Sequence, residues 1–517
     1  MTRSEWQSIK PSYPDVTLEQ RVAAHAREKP GDIAVIGGTD VLSWREIDRQ
    51  ANALAAALIA RGLRPGDRLG WLGRNRPAFP VVLIAARRAR LVLTGLNWRL
   101  SAGELARIVA VADCALIIAD AEFLNLLSED GKGETMESLF AKMSQERAQA
   151  IIPASQPNDP ATLFFTSGTT GLPKGIVYSL ETTERALGTP HTLGFAPDSR
   201  LLIVAPVFHM AGWVWTQYAL HGGMTQILLS AAVPGNMLQA ISTHRVTHAQ
   251  LVPTMILSVL DELERTPRDI SSLRMVAYGA SPIQPHLLAR ARATLDCAFC
   301  QVYGLTETAA PISHLPPSAH LDGTGKAQAT GIVNPNVELR IVDVEQHDVS
   351  AGKIGEIHAR MPFPAAHYLG DGQSSGKGIG CDGWVRTGDA GYIDADGYLH
   401  VCDRIGEMII SGGENVYPVE VDNILGSLGG VREAAAFGMP DERWGEIVCC
   451  AVVMRDGVPF DEEALIVACR DRLAHYKSPR RVFQVQTLPR NATEKVLRRE
   501  LSRKFQTNLA VVDPPSL

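Results

Sequence analysis

The chain has 517 residues, 45% of them hydrophobic and 21% charged, with a formal net charge of -6. That length is far more than one hydrophobic core needs, so a multi-domain enzyme is expected. The mild acidity excludes a protein that attracts nucleic acid over its whole surface. Of the eight scattered cysteines only Cys297 and Cys300 have metal-ligand spacing; lacking a second pair, they read as buried thiols of a reducing compartment.

Residues Met1 to Trp6 carry no apolar run after their charge, so they do not read as a secretory signal, and the cytoplasm is the expected location. Ser43 and Glu46 form a capping box ahead of Ile47, Leu54, Leu58 and Ile59, and Gly62 closes that helix. A turn at Pro65 to Asp67 leads into a strand at Leu69 to Leu72. Apolar runs at Ala115 to Ile118, Leu201 to Ala205, Ile227 to Leu229 and Met275 to Tyr278 alternate with helical patterns. They predict an α/β class with doubly wound sheets, buried parallel strands covered by helices on both faces. No Asp, Glu, Lys or Arg stands between Arg200 and Arg245, yet Pro206, Gly222, Gly223 and Pro234 interrupt that stretch, so no membrane span is expected.

Beyond about residue 330 the strands become shorter and Gly-punctuated, at Val337 to Val342, Gly355 to Ala359 and Tyr398 to Val401, which predicts a small β-barrel-like region. From Arg404 onward, strands near Ala434 to Phe437 and Ile447 to Met454 and a helix near Asp461 to Leu473 predict a separate small α+β domain. The division expected is therefore residues 1–403 and 404–517.

The strongest local signal is Thr166, Ser167, Gly168, Thr169, Thr170 and Gly171, followed by Lys174, directly after the apolar run Leu163 to Phe165. Glycines let backbone approach a polyanion, hydroxyls donate hydrogen bonds, and Lys174 adds positive charge, which together make a phosphate cradle. The spacing is not that of a Walker loop. Further along the chain come Pro206 to Gly212, Tyr278 to Ser281, Gln301 to Gly304, Leu305 to Glu307, Thr387 to Asp389, Arg404, Met408 to Pro418 and Pro489 to Arg499. Taken singly, Glu307 and Asp389 read as solvated turn residues.

In content and order these segments resemble the adenylate-forming superfamily, in its acyl-CoA synthetase and aryl-CoA ligase branch, over nearly the whole chain. The resemblance implies a large N-terminal domain, a small mobile C-terminal domain, and a reaction that uses ATP, magnesium and coenzyme A on a small-molecule carboxylic acid. It implies that Thr166 to Gly171 and Lys174 hold phosphates, that Gly279, Ala280 and Ser281 with Gln301, Val302, Tyr303 and Gly304 enclose adenine, and that Asp389 and Arg404 meet the ribose. Thr306 is then near the α-phosphate, Glu307 is the metal ligand, and Lys495 is the catalytic lysine. His209, Met210, Gly212, Trp213 and Leu305 border the acid, and Ser411, Gly412 and Gly413 help to form the thiol tunnel. The indole and imidazole rings favour an aromatic or bulky cyclic acid over a fatty acid. Lys477, Arg480 and Arg481 fit either the phosphates of coenzyme A or a solvated face.

Two positions depart from the family pattern. Gly406 stands at the hinge where Asp or Lys is usual, and Glu494 stands where Gly usually precedes the lysine. Both raise the alternative of an enzyme better at thioester formation from a preformed acyl-adenylate than at adenylation. An enzyme that loads a carrier protein, a luciferase-like oxygenase and a non-catalytic nucleotide-binding protein are the other readings, and a homodimer is compatible with all of them.

Overall fold

The computed structural model describes residues 16–127, 132–143, 155–166, 174–188, 192–321, 325–363, 367–369, 378–380, 382–491 and 495–509. Among these residues the strands form sheets of fourteen, seven and five members. In the seven-stranded sheet, Arg68–Leu72 lies between Val92–Gly95 and Leu116–Ala119 in parallel. Pro160–Thr166 extends it in parallel, Lys174–Ser179 follows in antiparallel fashion, and the short strand His367–Tyr368 forms that edge.

The large sheet has a parallel half in which Ile33–Gly37, Thr225–Leu228, Arg200–Ile203, His248–Leu251, Met275–Gly279 and Ala298–Tyr303 are neighbours. Most of their side chains are buried, as parallel strands covered on both faces require. Antiparallel strands then continue the same sheet through Ser313–Leu315, Gly331–Val333, Tyr398–Arg404, Val385–Ile393, Gly355–Arg360 and Glu338–Val342. The region expected to be barrel-like is thus an antiparallel extension of the main sheet.

Local chemistry explains the element ends. The Ser43 hydroxyl accepts from the Glu46 amide at 3.3 Å and the Glu46 carboxylate accepts from the Ser43 amide at 2.8 Å, which starts the helix Trp44–Ala60. Arg200–Ile203 ends earlier than its apolar run because buried Asn75 takes over the backbone. Its amide donates to the Ala205 carbonyl at 2.9 Å and its oxygen accepts from the Val207 amide at 3.0 Å. Asp461 caps the helix Glu462–Arg470 by accepting from Ala464 at 3.0 Å. Among the described residues no helix is long and apolar enough to cross a membrane.

After Arg404 a short turn, Ile405–Glu407, leads into the third sheet, built from Ile409–Ser411, Glu414–Val416, Val431–Asp441, Gly445–Met454 and Arg481–Gln484. This sheet has its own apolar core, with Val421, Val431, Ala436, Val448, Cys450 and Val452 at its centre. A large N-terminal unit and a smaller C-terminal one result.

Candidate active site

The main cleft, about 340 Å³, opens at the carboxyl ends of Met275–Gly279 and Ala298–Tyr303 and is closed on its other side by the small sheet. Crevices at the carboxyl ends of parallel strands are where open α/β sheets bind ligands, and the volume is within the range of small-molecule sites, about 300–1,000 Å³. Gly279, Ala280, Ser281, Gln301, Val302, Tyr303, Gly304, Asp389, Arg404 and Lys495 all line it. The strand register brings Gly279 beside Val302. A Cβ at Gly279 would lie 2.3 Å from the Val302 carbonyl oxygen, so the close approach of these two segments requires glycine. Ala280 adopts a left-handed φ of 66°, which turns the chain out of the strand at the cleft wall.

Asp389 is buried, and both of its oxygens are engaged. One meets Arg404 Nε at 2.7 Å and the other accepts from the Tyr303 hydroxyl at 2.6 Å. Burial pushes the Asp389 carboxyl upward, and the Arg404 guanidinium opposes that shift. Each carboxylate oxygen has two lone pairs, so Asp389 retains capacity for ribose hydroxyls while Tyr303 and Arg404 hold its orientation. Tyr303, expected to help enclose adenine, is an orienting donor to Asp389.

Around Lys174 and Glu307 stand two tyrosines that no sequence motif singled out. Lys174 pairs across the strands with Thr166, and its ammonium lies 5.3 Å from the centroid of the Tyr368 ring. Tyr368 is fixed by pairing with Ile176, and its hydroxyl donates to Glu307. Burial and then the Glu307 charge push that phenol up to about 12. From the other side the Tyr178 hydroxyl donates to the Thr306 carbonyl. Two tyrosines thus grip the turn Thr306–Thr308. A single carboxylate beside a phosphate cradle suits magnesium, which keeps several waters and binds through one or two carboxylates plus substrate phosphates. Ser167, Gly168, Thr169, Thr170 and Gly171 lie outside the described residues.

His209, expected to border the acid, occupies the N-cap position of the helix Met210–Gly222 without a side-chain cap hydrogen bond, and burial, reinforced by Arg99, lowers its imidazole to about 4. It is neutral at physiological pH. Gly212 was expected to border the acid, but a Cβ there would sit 2.2 Å from the Ala205 carbonyl oxygen, so backbone packing is what needs the glycine. Trp213 is fully buried, edge-on to Phe79 and Phe164 at 5.2 and 5.0 Å. With Met210, Tyr178, Ala309 and Gln217 it bounds a second, small cavity of about 20 Å³ rather than the main cleft. Leu305 follows directly on the cleft residue Gly304.

Lys495 reaches the main cleft from the C-terminal segment, and its Nζ lies 3.0 Å from Glu407 Oε1. Ser411, Gly412 and Gly413 are not among the cleft residues. Gly412 and Gly413 have φ of 63° and 85° and form the tight hairpin that joins Ile409–Ser411 to Glu414–Val416. Gly412 packs under the Trp444 ring, which also lies against Arg443 and Arg480. Lys477 and Arg481 pair with Glu420 and Glu462, at 2.5 and 2.9 Å. At Gly406 an added Cβ would meet only Arg499 Nη2, at 3.7 Å, and the backbone is not left-handed. Glu494 lies outside the described residues.

Residues 22–369 match the model of the AMP-binding enzymes, and residues 420–495 match that of the AMP-binding enzyme C-terminal domain. The chain belongs to the AMP-binding enzyme family. Among its relatives in that family, a fatty acid--[acyl-carrier-protein] ligase of Streptomyces coeruleorubidus is 35% identical, over 95% of this chain and 96% of the relative. A feruloyl-CoA synthase of Amycolatopsis is also 35% identical, over 93% and 97%. Among solved structures of AMP-binding enzymes, o-succinylbenzoate CoA synthetase of Bacillus subtilis, in complex with its acyl-adenylate intermediate, superposes with a TM-score of 0.83 at 30% identity. That likeness covers 93% of this chain and 97% of the other. The family assignment agrees with the order of motifs read from the sequence.

Proposed function

We propose that this AMP-binding enzyme is an ATP-dependent, AMP-forming acid-CoA ligase of the cytoplasm, acting on an aromatic or bulky cyclic carboxylic acid. The observation that carries this reading is the arrival of Lys495, from the C-terminal unit, in the cleft walled by Gly279 to Ser281, Gln301 to Gly304, Asp389 and Arg404 of the N-terminal unit. The relatives described as feruloyl-CoA synthase and o-succinylbenzoate CoA synthetase support it.

In the first step an oxygen of the substrate carboxylate bonds to the α-phosphorus of ATP, and the bond to the bridging oxygen breaks, releasing pyrophosphate. Lys495 and Thr306 meet the charge that builds on phosphate and carboxylate oxygens, while Asp389 and Arg404 hold the ribose. Glu307, oriented by Tyr368, would hold magnesium, which neutralises phosphate charge when bound. Neutral His209 borders the acid without adding charge. In the second step the sulfur of coenzyme A bonds to the acyl carbon, AMP leaves with the bridging oxygen, and the thiol proton passes to solvent. Ser411 to Gly413 serve that step after the C-terminal unit, divided from the rest near residue 404, turns about Gly406.

The test is a panel of cinnamic, benzoic, indoleacetic and straight-chain acids, measured for ATP–pyrophosphate exchange and for AMP release with coenzyme A or with a phosphopantetheinyl carrier protein. Exchange with a cyclic acid and AMP release dependent on coenzyme A are expected. Release with the carrier protein alone would transfer the assignment to the chemistry named for the Streptomyces relative, and no exchange with any acid would overturn it.

A further inference from the structure

The ion pair at Lys495 has a wider connection. Glu407 Oε1 takes the Lys495 ammonium at 3.0 Å, and its other oxygen lies 3.7 Å from Arg498 Nε. Arg498 is itself locked: it donates to the Ala436 carbonyl and to Asp422 Oδ2, both at 2.6 Å. Asp422 is in turn bonded to the backbone amide of Ala436 in the strand Val431–Asp441 of the small sheet. The backbone of the lysine segment is held separately, by the Lys495 amide donating to Asn491 Oδ1 at 2.9 Å. Glu407 and Lys495 both line the nucleotide cleft, and Glu407 follows Gly406 immediately.

We propose that Glu407 is a positioning residue for adenylation, which carries the side chain of Lys495 and couples it through Arg498 to the small sheet. The proposal rests on the adenylating role of Lys495. A lysine side chain on a flexible four-carbon stem has many rotamers, and a fixed carboxylate removes most of them before ATP arrives. Glu407, Arg498 and Asp422 all follow the hinge residue, so the pair rides with the small sheet when it turns about Gly406. Lys495 then leaves the cleft already paired, and returns to it in the same geometry. Once ATP and the acid are bound, their oxygens compete for the ammonium, and Glu407 releases it over a distance of one side-chain rotation. Coenzyme A acylation does not use Lys495 at the phosphate, so it does not depend on Glu407.

The test compares Glu407→Gln and Glu407→Asp with wild type in the two half-reactions. For E407Q the maximal rate of acyl-adenylate formation is expected to fall about tenfold with little change in KM for ATP, as for loss of preorganisation worth about 1.4 kcal/mol. Conversion of preformed acyl-adenylate to thioester is expected to stay at the wild-type rate. E407D, which keeps the charge on a shorter arm, is expected to recover part of the loss. A role in folding alone would lower both half-reactions together, and that result, or adenylation unchanged in E407Q, would overturn the proposal. A measurement independent of the reaction is the rate at which acetic anhydride acetylates Lys495, followed by mass spectrometry. It is expected to rise several-fold in E407Q, whereas equal rates in E407Q and wild type would overturn the proposal even if no acid were found that the enzyme activates.

Discussion

Tyr368 does two jobs with one side chain. Its ring faces the Lys174 ammonium and its hydroxyl donates to Glu307, so the cation proposed to meet phosphate and the carboxylate proposed to hold magnesium share one support. Removing that hydroxyl in Tyr368→Phe takes away a hydrogen bond to a charged group, worth about 1.5–3 kcal/mol. The magnesium concentration for half-maximal adenylation should therefore rise roughly tenfold; an unchanged magnesium requirement would remove Tyr368 from the metal site. The sequence displayed Lys174 because it ends a run of glycines and hydroxylated residues, and Glu307, Asp389 and Lys495 because their segments keep the order of a family's motifs. Tyr368, Tyr178 and Glu407 stand in no such run. Their partners lie far away along the chain and meet them only through strand pairing and the packing of the last sheet, so no local pattern could reveal them.

At the scale of elements, the close approach of two strand ends makes the cleft wall. Gly279 and Val302 are register partners, and the Val302 carbonyl occupies the place of a side chain. Gly279→Ala is expected to cost about 1–3 kcal/mol of stability through overpacking and to weaken nucleotide binding, which thermal unfolding with and without AMP measures. Gly406 differs in kind, since nothing crowds it and its backbone does not need glycine. Gly406→Asp should leave stability within about 0.5 kcal/mol and, by narrowing the backbone freedom of the hinge, raise adenylation relative to thioester formation. Equal ratios of the two half-reaction rates in Gly406→Asp and wild type would show the glycine to be neutral. The strands and helices themselves were legible to within a few residues, because apolar runs and capping boxes are local. What the sequence could not supply was the use of each glycine. Gly212 was expected to border the acid, yet the Ala205 carbonyl occupies the place of a side chain there, and the strand ahead of it stops early because distant Asn75 binds its backbone.

For the molecule as a whole, buried imidazoles set a pH limit. Burial lowers His209, His314 and His320 to about 4, the last two inside the main sheet region. The unfolded chain binds protons on these rings from about pH 6.5 downward, but the folded chain resists them until about pH 4. Stability is therefore fully present above pH 6.5 and is lost as pH falls towards 4. Unfolding midpoints measured between pH 7.5 and 4.5 should drop steadily below 6.5, and a flat profile would mean that these rings are less enclosed than the structure has them.

The central claim is that two units of one chain meet so that Lys495 from the second completes an adenylating cleft in the first. The most direct test measures Lys495→Ala in both half-reactions with the best acid of the panel. Adenylation, followed by pyrophosphate exchange, should fall roughly 10²- to 10³-fold, as when one transition-state donor is removed, while thioester formation from preformed acyl-adenylate and coenzyme A continues near the wild-type rate. Wild-type exchange in Lys495→Ala, or an equal loss in both half-reactions, would contradict it.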